Sequence, residues 1–447
     1  MSFATKAKIL FRLLMPGIHL KRWIFVSLLG IVLFAVGFSL VSDPQRDPRI
    51  TVYNLWYHLT NSSISGNTIL LLGGLLLVGG LLLVGFGTRR LIRAFTTLAN
   101  PNATARQLVL AMLDKSRSDP RLRIVGIGGG TGLSNLLRGL KTYPVDLTAI
   151  VTVSDDGGSS GRLRDNLDMP PPGDIRNCLV ALADAEPLME RLFLHRFSQT
   201  SGELNGHSLG NLIIAGLREM HGDFQQAIKE ASRVLAVRGR VLPSADRALR
   251  LRAVMDDGSI VEGETAIVAR NGVITSIHLD PPDVSPLPEV LDALAEADVI
   301  IVGPGSVYSS LLPNLIIPGM AEALAASPAI KVFICNVMTQ PGESDNFSAS
   351  RHLEAVLEHL PCPNPFDFAV VNLQSPPPEV AALYAEKGQC FVEPDLGHFY
   401  EMNTEPITGH LLAKIHLARH DPDELARCIL TKIAETTKIR NLLMKTD

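Results

Sequence analysis

Signatures of several familiar protein classes are missing from this chain. Its five cysteines are scattered and form no CxxC pair, so we expect reduced thiols rather than a disulfide framework or a zinc site. The formal net charge is −4, and the sequence has no basic patch with interleaved aromatic residues, which argues against a nucleic-acid partner. An HExxH motif is also missing, so zinc-protease chemistry has no support.

Two long apolar runs lie near the N-terminus, at residues 23–41 and 68–87. Each is close to the ~20 residues that a helix needs to span a bilayer. A cleaved signal peptide is the rival interpretation of the first run, but no small-x-small cleavage site follows it and a second apolar run does. We therefore expect a two-helix membrane anchor.

The basic residues on either side of these runs predict how the anchor is oriented. Few lie in the intervening loop, and more lie outside the pair, at Lys6, Lys8, Arg12, Lys21, Arg22, Arg89, Arg90 and Arg93. The positive-inside rule then places both ends in the cytoplasm. We expect residues 1–22 to be a cytoplasmic segment, 23–87 the anchor with an external loop, 88–120 a helical connector and 121–447 the main domain, held at the inner membrane.

The main domain alternates short apolar strands with amphipathic helices. This rhythm predicts an α/β fold, a Rossmann-like parallel sheet with helices on both faces. It is interrupted after about residue 232, where the runs 249–254, 260–268 and 272–278 read as an inserted β-meander. Open sheets of this kind bind ligands at the carboxyl ends of their strands, so polar loops at those ends are the candidate site.

The first such loop is the glycine-rich stretch at Gly128, Gly129, Gly130, Thr131 and Gly132. Glycines allow close backbone approach, and amides at the start of the following helix suit a diphosphate. Thr131 breaks the strict dinucleotide fingerprint, and no GK[ST] follows, so the stretch is not a Walker loop. A tight turn without a ligand is the alternative.

The second loop, SDDGGSSGR at 154–162, offers Asp155, Asp156, Ser159 and Arg162. One aspartate could contact a ligand or hold Mg²⁺ beside a phosphate, while the other caps the loop. A flexible surface loop is the alternative.

Three further stretches carry polar side chains at strand ends or helix starts. PGDIRN supplies Asp174, a candidate helix N-cap, together with Arg176 and Asn177. GHSLGN supplies His207 and Asn211, for which ligand contact and a structural role are both open. Later loops that suit phosphate supply Gly303, Gly305, Ser306, Asn336 and Thr339.

Taken together, six ordered motifs resemble those of the YvcK proteins, the gluconeogenesis factors of the CofD-like superfamily. They are GGGTGLS, VSDDGGSSGRLR, PGDIRNCLVAL, GHSLGNL, GPGSVYSSLLPN and CNVMTQPGES. The resemblance implies binding of a UDP-sugar, chiefly UDP-N-acetylglucosamine, in the cytoplasm. It also implies a role in cell shape and envelope synthesis during gluconeogenic growth, through cell-wall or regulatory proteins as partners. We expect a homo-oligomer.

Two positions bear on the nucleotide base in this resemblance. The family has a tyrosine near the base, and the sequence places Phe347 there, which can stack but lacks the hydroxyl group. The late arginine of the family matches Arg419, in ARHD. The membrane anchor sets the chain apart from shorter family members.

The sequence therefore favours a membrane-anchored UDP-sugar sensor without catalytic residues. The alternative is a Mg²⁺-dependent phospho-group transferase of the CofD type, in which Asp155 or Asp156 holds the metal. An NAD-dependent oxidoreductase is a weaker third reading, because the dinucleotide fingerprint is broken and no ribose-binding acid stands about 20 residues after it.

Overall fold

The computed structural model describes residues 20–42, 57, 66–99, 122–184, 187–413 and 417–436. The chain forms two compact units, Met1–Asp119 and Pro120–Asp447. The second unit agrees with the predicted domain 121–447. Most of the predicted segment 1–22 and of the external loop, and the connector beyond residue 99, lie outside the described residues.

The N-terminal unit contains helices α1 (Leu20–Ser42) and α2 (Gly66–Ala99). They meet along glycines: a Cβ atom at Gly37 would lie 2.5 Å from the backbone nitrogen of Leu77, and one at Gly80 would lie 2.5 Å from that of Phe34. Only close backbone packing leaves so little room, and small residues at helix interfaces permit it.

One stretch among the described residues, Leu70–Arg90, is long and apolar enough to cross a membrane, with a mean hydropathy of 2.4. The apolar helix Val26–Val41 is shorter. The expected pair of transmembrane helices is therefore not confirmed. Helix α2 continues to Ala99, so the first part of the predicted helical connector is helical.

The second unit is built on a seven-stranded sheet in which every neighbouring pair is parallel, as the βα alternation predicts. The order of strands is β10-β9-β8-β7-β1-β2-β3. The strands are β1 (Arg123–Gly128), β2 (Asp146–Val151), β3 (Arg240–Pro243), β7 (Val299–Val302), β8 (Ile330–Ile334), β9 (Phe368–Asn372) and β10 (Glu405–Gly409).

Helices connect these strands and cover both faces of the sheet. They are α3 (Gly130–Leu140), α4 (Gly158–Leu167), α5 (Gly173–Leu182), α6 (Pro187–Leu194), α7 (Leu209–His221), α8 (Phe224–Val234), α9 (Glu264–Arg270), α10 (Pro288–Glu296), α11 (Leu312–Leu315), α12 (Met320–Ala326), α13 (Ala349–Leu357), α14 (Pro378–Ala385), α15 (Leu396–Glu401) and α16 (Pro422–Glu435). Shorter helical turns span Gln199–Leu204 and Val307–Leu311.

Successive side chains of the strands point to opposite faces, and each face has its own core. On one face, Ile127 and Val302 pack in a cluster that includes Leu311; on the other, Ile124 and Ile301 pack with Leu133. Because the central strands are buried on both faces, their sequences are continuous apolar runs.

The inserted element is a three-stranded antiparallel sheet of β4 (Arg250–Met255), β5 (Ile260–Glu262) and β6 (Ile274–Asp280). The strand order is β5-β4-β6, so the predicted β-meander is wrong: β5 and β6 both pair with β4, and helix α9 connects them. The predicted strand 260–268 is wrong beyond Glu262. Gly263 has a φ of +95°, and the carboxylate of Asp156 accepts hydrogen bonds from the backbone N–H and hydroxyl of Thr265, at 2.9 and 2.6 Å. These contacts stop the strand and cap helix α9 from a distant loop.

Candidate functional site

A cleft of about 600 Å³ opens at the carboxyl ends of the central strands. The loops after β1, β7 and β8 line it, together with helix α14 and residues 417–420. This is the position at which open parallel sheets bind ligands.

The glycine-rich loop after β1 forms one wall of the cleft. Gly130 has a φ of +59°, a backbone conformation that residues other than glycine rarely adopt. A Cβ atom at Gly132 would overlap the carbonyl oxygen of Pro304, so the two loops touch through backbone alone. Helix α3 begins at Gly130, and its first N–H groups have no partner within the helix. The wall can therefore bind an anion.

Asn336 fixes the neighbouring loop, which follows β7. Its Oδ1 accepts from the N–H of Gly305 at 3.1 Å, and its Nδ2 donates to the Gly305 carbonyl at 2.9 Å. Buried Glu343 holds the next turn by accepting from the Ser309 hydroxyl at 2.8 Å and from the Tyr308 N–H at 3.3 Å. Together these contacts place Ser306 and Ser310 at the cleft wall.

The charged side chains that line the cleft are all basic. They are Arg138, Lys387 and Arg419, and no aspartate or glutamate stands with them among the described lining residues. Arg138 also lies 3.6 Å from Glu190 in an exposed pair, which solvent screens. The charge of the cleft thus favours an anionic ligand.

The segment carrying Arg419 is held by two neighbours. The Nδ2 of Asn135, on α3, donates to the His420 carbonyl at 2.6 Å, and the hydroxyl of Tyr384 accepts from the Ala418 N–H at 3.2 Å. His420 is 5% exposed, and burial lowers its pKa to about 4, so its imidazole is neutral. We refer to Tyr384 and its neighbours in the lining, Lys387 and Gln389, as the aromatic end of the cleft.

The structure brings many of the predicted site residues together in the cleft, and places the others around it. In the lining are Gly129, Gly130, Thr131, Gly132, Asn177, Gly305, Ser306, Asn336 and Arg419. Outside the lining are Gly128, Asp155, Asp156, Ser159, Arg162, Asp174, Arg176, His207, Asn211, Gly303, Thr339 and Phe347.

The two adjacent aspartates have separate structural roles. Asp156 caps helix α9 of the inserted element. Asp155 accepts from the N–H of Gly157 at 2.8 Å within its own loop. Asp174 lies in the first turn of α5, whose N-cap position is Pro172, so Asp174 is not the predicted cap; it accepts instead from the N–H of Gly130.

Several carboxyl groups lie near one another, and one of them, that of Asp174, contacts the glycine-rich loop. Burial is the main cause that raises the pKa of Asp174 to about 7, and the negative charge of Asp155 is the second. Burial is likewise the main cause that raises the pKa of Glu264 to about 9, and the charges of Asp155 and Asp174 add to it. Burial also raises the pKa of Glu343. We refer to Asp155, Asp156, Asp174, Glu264 and Glu343 as the acidic cluster.

Ser159 and His207 form a buried hydrogen-bonded pair, with Oγ and Nδ1 3.2 Å apart. The Oγ of Ser159 also accepts from the Ser208 N–H at 3.2 Å and the Asn211 Nδ2 at 3.1 Å, so its own proton goes to His207. The spacing Gly157-x-Ser159-x-Gly161 matches that of a nucleophile elbow, but Ser159 is 3% exposed and does not line the cleft. The pair joins α4 to α7.

Three other predicted site residues make hydrogen bonds to neighbouring protein groups. Arg176 donates to Asn211 and to Asn177, at 2.9 and 2.8 Å, and so orients Asn177 at the cleft. The side chain of Arg162 donates to the Asn205 carbonyl at 2.7 Å. Thr339 pairs with Cys390 through the backbone and its hydroxyl group.

Phe347 lies away from the cleft lining. Its ring packs edge-on against His352, with centroids 5.5 Å apart, and the Arg351 guanidinium lies 5.3 Å from its centre. Its predicted contact with a base stays a prediction. Tyr384, which sequence reasoning missed, supplies the aromatic ring at the cleft.

Sequence reasoning also missed Asn135, Arg138, Lys387 and Gln389 in the lining. The first two could have been found, because they follow Thr131 at helical spacing and share its face of α3. No motif marks the others.

Comparisons with known proteins bear on the family and the fold of this chain. Residues 124–412 match the family described as 2-phospho-L-lactate transferase CofD. The gluconeogenesis factor of Bacillus subtilis is 48% identical over 314 residues, which cover 70% of this chain and 98% of that protein. A Nostoc relative of the same group is 39% identical over 431 residues, which cover 94% of this chain and 92% of that protein.

A solved structure shows the same fold. The crystal structure of a Bacillus halodurans protein superimposes with a TM-score of 0.68 at 48% identity. The match covers 70% of this chain and all of that one.

Proposed function

The chain belongs to the CofD family and resembles its gluconeogenesis factors, and from that premise we propose that its cleft binds a UDP-sugar such as UDP-N-acetylglucosamine. In this proposal the protein is a sensor, and the bound nucleotide sugar controls its action on the enzymes of envelope synthesis and hence on cell shape. Gluconeogenic growth is the condition under which the sensor matters. The homo-oligomer stays a prediction.

One observation carries the proposal: among the described residues, the charged side chains lining the cleft are three basic ones, and they share it with the glycine-rich loop at the start of helix α3. A diphosphate at that wall would accept hydrogen bonds from the amides and attract Arg138, Lys387 and Arg419. The cleft volume of about 600 Å³ falls in the range of small-molecule sites.

The aromatic end of the cleft indicates how a bound nucleotide sugar is oriented. Tyr384 offers a ring on which a base can stack, and Arg419 lies on the neighbouring segment that Tyr384 holds through Ala418. With the base at Tyr384, the diphosphate lies along the glycine loop, and the sugar lies toward Asn177 and Leu194. In this proposal the base stacks on Tyr384, and the contact of Phe347 with the base stays a separate prediction.

A ligand screen tests the proposal. Thermal shift of the full chain in detergent would compare UDP-N-acetylglucosamine, other UDP-sugars, GDP and NAD. A ligand at 100 times its Kd adds about 2.7 kcal/mol to the stability of a two-state fold. We expect the largest shift with a UDP-sugar, and a larger shift with GDP or NAD would reject the proposal.

We further propose that α1 and α2 hold the protein at the inner membrane as a hairpin with both ends in the cytoplasm. The glycine contacts at Gly37 and Gly80 support insertion as a pair, since α1 is the shorter apolar helix. Reporters that are active only outside the cytoplasm would be fused near residue 62 and at the C-terminus. Activity is expected only for the fusion near residue 62, and the reverse result would reject this orientation.

A transferase that uses Mg²⁺ is the second candidate, and the acidic cluster is the observation that favours it. Burial raises the pKa of Asp174, and the charge of Asp155 is the second cause, so these two carboxyl groups lie near each other. Among the described residues no group of three or more ligand side chains is arranged for a metal, but Mg²⁺ often binds through one or two carboxylates plus phosphate. Asp155 and Asp174 fit that donor set, whereas the carboxylate of Asp156 accepts a hydrogen bond from Thr265 at the start of helix α9. The metal would neutralise charge on a transferred phosphate.

Turnover distinguishes the two candidates. Purified protein would be incubated with a guanosine dinucleotide substrate, a deazaflavin acceptor and Mg²⁺. Release of a nucleoside monophosphate that Asp155→Asn abolishes would favour the transferase.

A further inference from the structure

Gln389 lines the aromatic end of the cleft in a fixed orientation. Its Nε2 donates to the carbonyl oxygen of Thr339 at 3.2 Å, and its backbone N–H donates to the carbonyl of Tyr384 at 3.0 Å. The side chain is therefore tied to the loop after β8, and the backbone to the end of the helix that carries the aromatic ring.

The bond to Thr339 decides which face of the amide meets a ligand. A carbonyl oxygen can only accept, so the amide NH₂ must face Thr339 and Oε1 must take the other side. Among the described residues no donor contacts Oε1, while Gln389 is half-buried in the cleft lining. Oε1 of this lining residue is thus a hydrogen-bond acceptor, and the side chain cannot present a donor in its place without breaking the Thr339 bond.

We propose that Gln389 reads the nucleobase by accepting a hydrogen bond from a ring N–H group, the imide N3–H of uracil. This inference rests on the proposed function, because it assumes a base at Tyr384. Stacking on Tyr384 favours every base in a similar way, since each has a π-face. A directional acceptor beside that ring adds selectivity, because a base without the ring N–H leaves Oε1 unpaired.

The surroundings of Gln389 fit this role. Lys387, two positions earlier in the same turn, also lines the cleft and can only donate, which suits the carbonyl groups that flank the imide N–H. Gly388 between them has a φ of +75° and shapes the turn.

The test compares UDP with N3-methyl-UDP, which differs only by losing the ring N–H, in calorimetry on the full chain in detergent. Wild type should prefer UDP by about tenfold, the worth of one hydrogen bond whose loss leaves a polar group unpaired. Gln389→Met keeps the length of the side chain, adapts to the methyl group and offers no acceptor. It should bind UDP about tenfold more weakly and lose the preference.

The ratio of the two affinities separates base reading from a merely structural role, because damage to the Thr339 contact would weaken both ligands alike. Gln225→Met removes a glutamine outside the cleft lining and should keep the wild-type affinities and their ratio. An unchanged ratio in Gln389→Met, or an equal fall in both variants, would overturn this inference alone. If wild type binds no UDP, the proposed function fails and the inference fails with it.

Discussion

The cleft and the acidic cluster contain different kinds of ionisable side chains. Among the described residues, the charged side chains that line the cleft are Arg138, Lys387 and Arg419, whereas the acidic cluster consists of carboxyl groups, and burial raises the pKa of Asp174 and Glu264 among them. The carboxyl group of Asp174 accepts from the N–H of Gly130, while Gly129, Thr131 and Gly132 line the cleft beside it. The comparison teaches that a buried carboxyl group holds the start of helix α3 at the wall of the cleft.

The largest effect is expected from Gly130→Val, which breaks the wall between the two regions. A β-branched residue at a φ of +59° is strained, and its side chain would displace the amides that face the cleft. Calorimetry should show a loss of UDP-sugar affinity of at least about 100-fold, because several charge-assisted hydrogen bonds are lost together. Gly216→Val, at a helical glycine with no atom near its Cβ position, is the control and should bind normally. Unchanged affinity in Gly130→Val would mean that the loop is only a turn.

The cationic side is tested by Arg419→Ala. Removing one charged donor should weaken UDP-sugar binding by about 1.5–3 kcal/mol, roughly 10- to 100-fold, and should lessen the dependence of affinity on salt. Arg247→Ala removes an exposed arginine beside Asp246, outside the cleft, and serves as the control. Equal losses in both variants would show a general charge effect rather than a contact in the cleft.

The acidic side is tested by pH. The folded-state pKa of Glu264, about 9, is raised above its ordinary value of 4.5, so its neutral form stabilises the fold at low pH and this contribution is lost as the pH rises toward 9. Glu264→Gln stays neutral, so its Tm should match wild type at pH 5 and exceed it by about 2–4 °C at pH 9. Glu262→Gln, an exposed neighbour paired with Arg252, should keep the wild-type profile. A Glu264→Gln profile parallel to wild type would remove this carboxyl group from the acidic cluster.

The smallest effect is expected from Asp156→Ala, which separates a cap from a ligand contact. Losing the cap of α9 should cost about 1 kcal/mol of unfolding free energy, read from denaturant titration. Asp223→Ala removes the corresponding cap of α8, far from the acidic cluster, and should cost about the same. Nucleotide affinity should be unchanged in both, and a selective loss in Asp156→Ala would return this carboxylate to the binding site.

The sequence predicted the parallel sheet and the glycine loops because both follow from local pattern. An apolar strand followed by glycines and a helix places the loop at the carboxyl edge, whatever the rest of the chain does. The partner of Asp156 could not be predicted, because Thr265 lies 109 residues away in the inserted element. The same contact explains why strand β5 ends at Glu262, although the sequence predicted that it continues to residue 268.

The residues at the aromatic end of the cleft could not be predicted from the sequence for a similar reason. Tyr384, Lys387 and Gln389 belong to a helix and turn without a motif, and the fold brings them to the loop after β8. Phe347 attracted the prediction because it follows a recognisable motif, yet its ring packs on Arg351 and His352. Side chains on one wall of a cleft can be read from a motif, but the facing wall depends on tertiary packing.

The central claim is that the basic side chains and amides of the cleft bind a nucleotide diphosphate without help from the acidic cluster. Calorimetric titration of the full chain with UDP-N-acetylglucosamine, in EDTA and again in excess Mg²⁺, tests it most directly. We predict binding in EDTA with a Kd that Mg²⁺ changes by less than about threefold, since each tenfold change corresponds to 1.4 kcal/mol of new interaction. Binding that requires Mg²⁺, and that Asp155→Asn abolishes, would contradict the account.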